Sequence, residues 1–245
     1  MRAFARGLVV IEAMGRGRQR QTLAQIAAAS SLPRSVARRF LMTLVELGFA
    51  GSDGKLYWLT PRVLRLGLTY LYSQPFWREA QLALEDLRAQ VNESCSMAVL
   101  DGAELVYVVR VPSRRILAMQ LAVGSRLPAH AVSLGRVLLA GLDDATLTAL
   151  LRRELRKLTP RTNDNPETLR RAIQRVHRDG YAWVDGELDE AICGIAVPVR
   201  DGEGRIVAAI NVSLQSGQWT EKKATARFLA PLRQAAARIR SAMMG

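Results

Sequence analysis

The sequence is short of almost everything that conventional catalysis needs. Its 245 residues include two cysteines and two histidines. Cys95 and Cys193 offer no metal-ligand spacing and no disulfide framework. No G-x-S-x-G elbow, no phosphate-cradling glycine loop and no zinc motif occurs. Apolar runs stay well below the ~18 consecutive residues of a membrane span. The opening stretch, MRAFARGLVVIEAMGRGR, has Glu12 inside its apolar part and no small-residue cleavage site. It reads as an amphipathic helix on Phe4, Leu8 and Ile11, not as a signal peptide. Few thiols and no export signal point to the cytoplasm, and nothing in the sequence calls for a metal or a cofactor. Internal repeats and low-complexity segments are also missing.

Acids are scarce at one end only. In total 35 Lys and Arg face 22 Asp and Glu, a net charge of +13. Residues 1–74 hold 11 basic side chains and three acids, a balance of +8, while the remaining 171 residues carry +5. A general bias towards Arg and Ala raises the basic count but does not remove acids from one end. The asymmetry points to a polyanion, and double-stranded DNA is the expected partner.

The stretch PRSVARRFLMTLVEL (33–47) shows how that charge is used. Pro33 opens it and Gly48 closes it, the usual punctuation of a helix. Val36, Ala37, Phe40, Leu41, Leu44 and Leu47 recur at three- and four-residue spacing and form a buried face. The other face presents Arg34, Ser35, Arg38, Arg39 and Met42. Upstream, TLAQIAAASS (22–31) is a second amphipathic helix, and only Ser31, Leu32 and Pro33 separate the two. Two core helices with a solvated basic face would look the same, so the neighbouring residues decide. Phe49 to Thr60 reads as strand, Asp53-Gly54 turn and strand, a wing with Lys55 at its tip. A wing behind a helix-turn-helix makes 33–47 a recognition helix, with Arg34, Ser35, Arg38, Arg39 and Lys55 as the DNA-binding candidates.

The expected domains are a winged helix-turn-helix at 1–60, linker helices at 61–93 and a second domain at 94–245. The linker helices start at Thr60-Pro61 and at Phe76. Their apolar stripes suit either dimerisation or packing between domains. Beyond Ser94 the pattern changes to strands at 95–100, 104–111, 115–122, 181–187, 192–200 and 205–214. Helices begin near Ser133, at 143–155, at 166–180 and at about Thr220. Hairpins mixed with helices make the class α+β with an antiparallel sheet.

Cys193 and His130 form a conceivable thiol–imidazole pair, but no third residue orients it, and buried structural cysteine is far commoner. A binding pocket fits the residues better. Asn211 and Ser213 share one face of an otherwise apolar strand, and buried polar groups need partners. They face solvent if Ile210 and Val212 face the core, and alternation alone leaves both options open. Gly194 would let a ligand approach the backbone. The helix start near Ser133 offers free N–H groups that suit a carboxylate without a buried arginine.

Several long stretches resemble the isocitrate lyase regulator (IclR) family of bacterial transcription factors. They are FARGLVVIEA, SVARRFLMTLVELGFA and GKLYWLTPRVLRLG in the first part. In the second they are MAVLDGAELVYVVRV, VGSRLPAHAVSLGRVLLAGL and VDGELDEAICGIAVPVRDGEGRIVAAINVS. ARRFLMTLVELG, SLGRVLLAGL and VAAINVS are most similar to the subgroup that governs breakdown of aromatic acids. The resemblance implies a homodimer or homotetramer on DNA and a GAF-like effector-binding domain that holds a small organic acid. It implies effector-binding roles for Ser133, Leu134, Asp185, Gly194, Asn211 and Ser213; His130, beside the helix start, is counted with them. One departure stands out. Where that subgroup has Gly-Leu-Arg-Ser, this chain has Ala191-Ile192-Cys193-Gly194. The rival reading is a DNA-binding protein whose second domain only oligomerises.

Overall fold

In a computed structural model, residues 2–16, 18–72, 76–113 and 121–244 are described. The strand expected at 115–122 lies almost wholly outside them. The chain divides into two compact units, residues 1–73 and 74–245.

The first unit begins with helix α1 (Arg2–Arg16) and a short strand β1 (Gln21–Thr22). Helix α2 (Leu23–Ala29) follows, started by a capping box in which Thr22 and Gln25 satisfy each other's amides. Helix α3 (Arg34–Glu46) comes four residues later, with Pro33 just outside it at the cap position. Its end is chemically explicit. Gly48 sits at φ +75, and the Phe49 and Gly48 N–H groups donate to Leu44 and Val45 carbonyls at 2.8 and 3.0 Å. This is the Schellman arrangement that glycine permits. Val10, Met14, Ile26, Leu41, Leu44 and Ala50 form the core. Strands β2 (Ala50–Ser52) and β3 (Leu56–Leu59) make the wing, and β1 adds to give the order β1-β3-β2. A single helical turn at Pro61–Val63 then leads into α4 (Leu64–Tyr72).

The second unit starts with α5 (Trp77–Val91). Its apolar stripe of Trp77, Ala80, Ala83, Leu84, Leu87 and Val91 is buried within this unit. Expected in the linker, the helix instead packs on the C-terminal sheet and on the last helix, α9 (Glu221–Met244). Strands β4 (Ser94–Asp101), β5 (Glu104–Val111) and β6 (Arg126–Pro128) precede a turn at 129–131 and helix α6 (Ser133–Leu139). Helices α7 (Asp144–Leu151) and α8 (Pro166–Asp179) follow, then β7 (Ala182–Asp185), β8 (Ile192–Arg200) and β9 (Ile206–Gln215). The sheet order is β6-β5-β4-β9-β8-β7, antiparallel throughout.

The two faces of this sheet differ in side-chain size. Met97, Ile195, Val197, Ile210, Val212 and Leu214 lie on the face covered by α5 and α9. Alternate residues lie on the α6 face. At one end these are Ala98, Ala196 and Ala209, small enough for α6 to pack tightly. At the other end they are Ser94, Ser96, Gly194, Asn211 and Ser213, paired across β4, β9 and β8. Those side chains are too small to fill the space beneath the start of α6, and a recess remains.

Candidate functional site

The first candidate surface is the outer face of α3. Arg34, Ser35, Arg38 and Arg39 are exposed, while Ala37, Leu41 and Leu44 are buried. None of the three arginines has a carboxylate partner among the described residues. The wing tip is tied locally. The Asp53 carboxylate accepts the Lys55 and Leu56 N–H groups at 3.0 and 2.8 Å, and Ser52 Oγ accepts that of Gly54. These backbone donors, helped by Arg20 nearby, hold the Asp53 carboxyl below its ordinary range. Gly54 turns the chain at φ +92, and Lys55 stands exposed beside it. The Arg20 guanidinium also lies over the Trp58 ring, 4.3 Å from its centroid.

The second is the recess under α6, with about 520 Å³ of empty space including its open mouth. That is within the usual size of small-molecule sites. Ser133, Gly194, Asn211 and Ser213 line it together, as their sequence positions led us to expect. Asn211 and Ser213 therefore face the protein interior, which settles the choice that alternation left open. Asn211 Nδ2 donates to Ser213 Oγ at 3.1 Å. A Cβ on residue 194 would lie 3.1 Å from Ser133 Oγ and 3.2 Å from the Val212 carbonyl, so glycine is what admits this approach.

Two further residues of the recess, Tyr107 and Arg110, were not expected there. They are three apart on β5, so simple alternation puts them on opposite faces. A β-bulge changes the phase. Met97 pairs with Val109, but the next residue, Ala98, pairs with Tyr107, which leaves Val108 as the extra residue. Arg110 is thereby turned onto the face of Tyr107, as bulges beside binding sites often do. Its Nη1 donates to Ser96 Oγ at 3.0 Å, and its guanidinium lies 5.8 Å from the Tyr107 ring centroid. No carboxylate among the described residues pairs with it. The recess therefore has a positive group, contrary to the expectation of a site without an arginine. Burial pushes the Tyr107 hydroxyl up to about 12, so it stays protonated at neutral pH.

Three expected effector residues lie elsewhere. The His130 ring points away, its Nε2 3.0 Å from the Arg156 carbonyl, and lines a separate hollow with Leu139, Leu150 and Leu155. Leu134 points into the core between α6 and the sheet. Asp185 accepts from Ser216 Oγ at 2.6 Å and pairs with Arg161 at 3.6 Å. Cys193 does line the recess but is not beside His130, and burial raises its thiol to about 12. The conceivable thiol–imidazole pair is not formed.

The roof of the recess is fixed by an ion pair that also escaped the sequence reading. Arg136 on α6 donates through Nη2 to both Glu187 oxygens at 2.6 Å, and through Nε to the His130 carbonyl at 3.2 Å. Glu187 also accepts the Asn163 N–H at 2.9 Å. The pair clamps α6 to the 186–191 loop, next to Leu188 and Ile192 at the recess wall.

Residues 3–54 match the IclR helix-turn-helix domain, and residues 68–241 match the C-terminal domain of bacterial IclR transcriptional regulators. The chain belongs to the IclR family. Among its IclR relatives, the Pca regulon regulatory protein of Pseudomonas putida is 42% identical over 97% of this chain and 82% of its own length. The p-hydroxybenzoate hydroxylase transcriptional activator of Acinetobacter baylyi is 35% identical over 97% of this chain and 90% of its own. Among solved IclR structures, a homologue from Microbacterium hydrocarbonoxydans complexed with 4-hydroxybenzoate superposes with a TM-score of 0.86. It has 28% identity and covers 99% of each chain. The α3 face and the wing are thus the DNA-reading parts of an IclR regulator. Among the described residues no helix is long and apolar enough to cross a membrane.

Proposed function

We propose that the protein is a cytoplasmic transcriptional regulator whose binding to an operator changes when a small aromatic carboxylic acid enters the recess. Operator reading is assigned to Arg34, Ser35, Arg38 and Arg39 of α3, with Lys55 on phosphate. The observation that carries the ligand half is Arg110. It is a cation turned inward by a bulge, beside an aromatic ring, with no carboxylate partner among the described residues. A carboxylate gains charge-assisted hydrogen bonds there, and Tyr107, Leu121 and Val184 supply apolar walls for a ring. Two of the relatives above are named for aromatic-acid genes, and a third holds 4-hydroxybenzoate. The role is binding rather than turnover.

A symmetric oligomer, dimer or tetramer, belongs to the same proposal. Phe4, Leu8 and Val9 on α1 and Leu64, Leu66 and Leu68 on α4 are exposed apolar side chains that a second copy can cover. The stripe on α5 is already used inside its own unit.

A thermal-shift series on the full chain tests the ligand half. Aromatic carboxylic acids should raise the midpoint in a concentration-dependent way, by ~2.7 kcal/mol of added stability at a hundredfold excess over Kd. The Arg110→Gln variant should lose most of that response. A flat response to every such acid would reject the reading.

A further inference from the structure

We propose that Asn211 is a specificity-determining residue that reads a hydroxyl group on the bound acid. The recess would then take hydroxylated aromatic acids in preference to unsubstituted ones. The inference rests on the recess being the acid site proposed above.

Asn211 is 5% exposed, and its Oδ1 has no hydrogen-bond partner although it is buried. Buried amide oxygens are almost always paired, and an empty recess leaves this one without a donor. The other end of the amide is already used on Ser213 Oγ. Having accepted that N–H, the Ser213 hydroxyl keeps its own proton to donate. Oδ1 and Ser213 Oγ–H therefore stand side by side as one acceptor and one donor.

That pairing matches a hydroxyl group, which donates one proton and accepts through its lone pairs. It does not match a carboxylate, which only accepts and would face Oδ1 with like partial charge. An ammonium group is disfavoured by Arg110. Ser96 is in register with both Arg110 and Asn211, so these two lie in one row across the sheet, two strands apart. Their Cα atoms are then on the order of 10 Å apart, and the Arg110 side chain reaches back over Ser96. The arginine takes the acid group and the asparagine takes a hydroxyl elsewhere on the same ring. Gly194 keeps the polar end accessible, since a Cβ there would lie 3.7 Å from Asn211 Nδ2.

Calorimetric titration of the full chain with 4-hydroxybenzoate, 3-hydroxybenzoate and benzoate tests this. At least one hydroxylated acid should bind the parent about tenfold tighter than benzoate, or better, because a site built for a hydroxyl is left unpaired without it. In Asn211→Leu that ratio should fall to about one, with benzoate binding kept or improved. Ser213→Ala removes only the donor and should also reduce the ratio; it serves if the leucine variant does not fold. Equal binding of all three acids by the parent, or a ratio unchanged by these substitutions, overturns the role of Asn211. In that case binding that is still lost in Arg110→Gln leaves the acid site itself standing. Failure of all three acids to bind the parent overturns the acid site, and this inference falls with it.

Discussion

Glu187→Ala should be among the most damaging single changes in the second unit, although the residue touches no ligand. Arg136 and Glu187 are 8% and 11% exposed, so neither charge is well solvated. Removing the carboxylate leaves a buried guanidinium with the His130 carbonyl as its remaining acceptor. The Asn163 N–H loses its acceptor as well. The Thr162 hydroxyl is unaffected, because it donates to the Glu187 backbone carbonyl. Breaking a buried pair from one side costs about 3–5 kcal/mol. At ~2–4 °C per kcal/mol for a unit of this size, the midpoint of the second unit should drop by roughly 6–20 °C. Replacing both partners, Arg136→Met with Glu187→Leu, should restore much of that loss, because no unpaired charge remains. Unfolding by urea of the four members of this cycle, followed by circular dichroism, measures the coupling. If Glu187→Ala costs under about 1 kcal/mol, or if the double variant is as weak as the sum of the singles, the pair does not clamp α6 to the loop.

Arg38→Ala or Arg39→Ala should weaken operator binding by ~1–3 kcal/mol if the side chain reads a guanine, with relaxed specificity at one position. Gel-shift titration against operator variants shows this, and unchanged affinity in both variants removes α3 as the reading helix. Lys55→Ala should weaken all duplexes alike and flatten the salt dependence, because it removes a phosphate contact rather than a base contact. Cys95 and Cys193 are buried thiols raised to about 12, so both stay protonated at pH 8. Disulfide-exchange labelling at pH 8 should be slow and should quicken only as urea unfolds the chain; immediate labelling of the native protein would contradict their burial. The sign for stability follows from the same shifts. Unfolded thiols lose their protons near 9 and folded ones near 12, so both cysteines subtract stability as pH rises between those values.

What was legible in the sequence is what short-range chemistry determines. The Thr22 cap, Pro33, Gly48 and the Asp53-Gly54 turn are local devices, and each sits where its residue type requires. Ser133, Gly194, Asn211 and Ser213 converge because small and polar residues at period two leave space on one sheet face. Arg110 was missed because one extra residue, Val108, reverses the alternation of β5, and a bulge has no reliable local signal. The Arg136–Glu187 pair joins residues 51 apart in sequence, and only the tertiary fold brings them together. His130 and Asp185 stand close to recess residues in the chain, but their rings and carboxylates turn to other partners. The stripe on α5 reads equally well as an interface or as core, and the sheet and α9 take it as core.

The most direct measurement is operator affinity with and without acid, in the parent and in Arg110→Gln. Titration of a labelled operator with the full chain at fixed salt, in the absence and presence of saturating 4-hydroxybenzoate, gives four dissociation constants. The parent should change affinity on adding acid, by about five- to 150-fold for a coupling of ~1–3 kcal/mol. Without acid the two proteins should bind alike, because Arg110 lies in the second unit and α3 in the first. With acid, at the concentration that saturates the parent, the variant should show little change. A variant that responds as the parent does would contradict the assignment of Arg110 as the carboxylate anchor. A parent whose operator affinity ignores every aromatic acid would contradict the central claim itself.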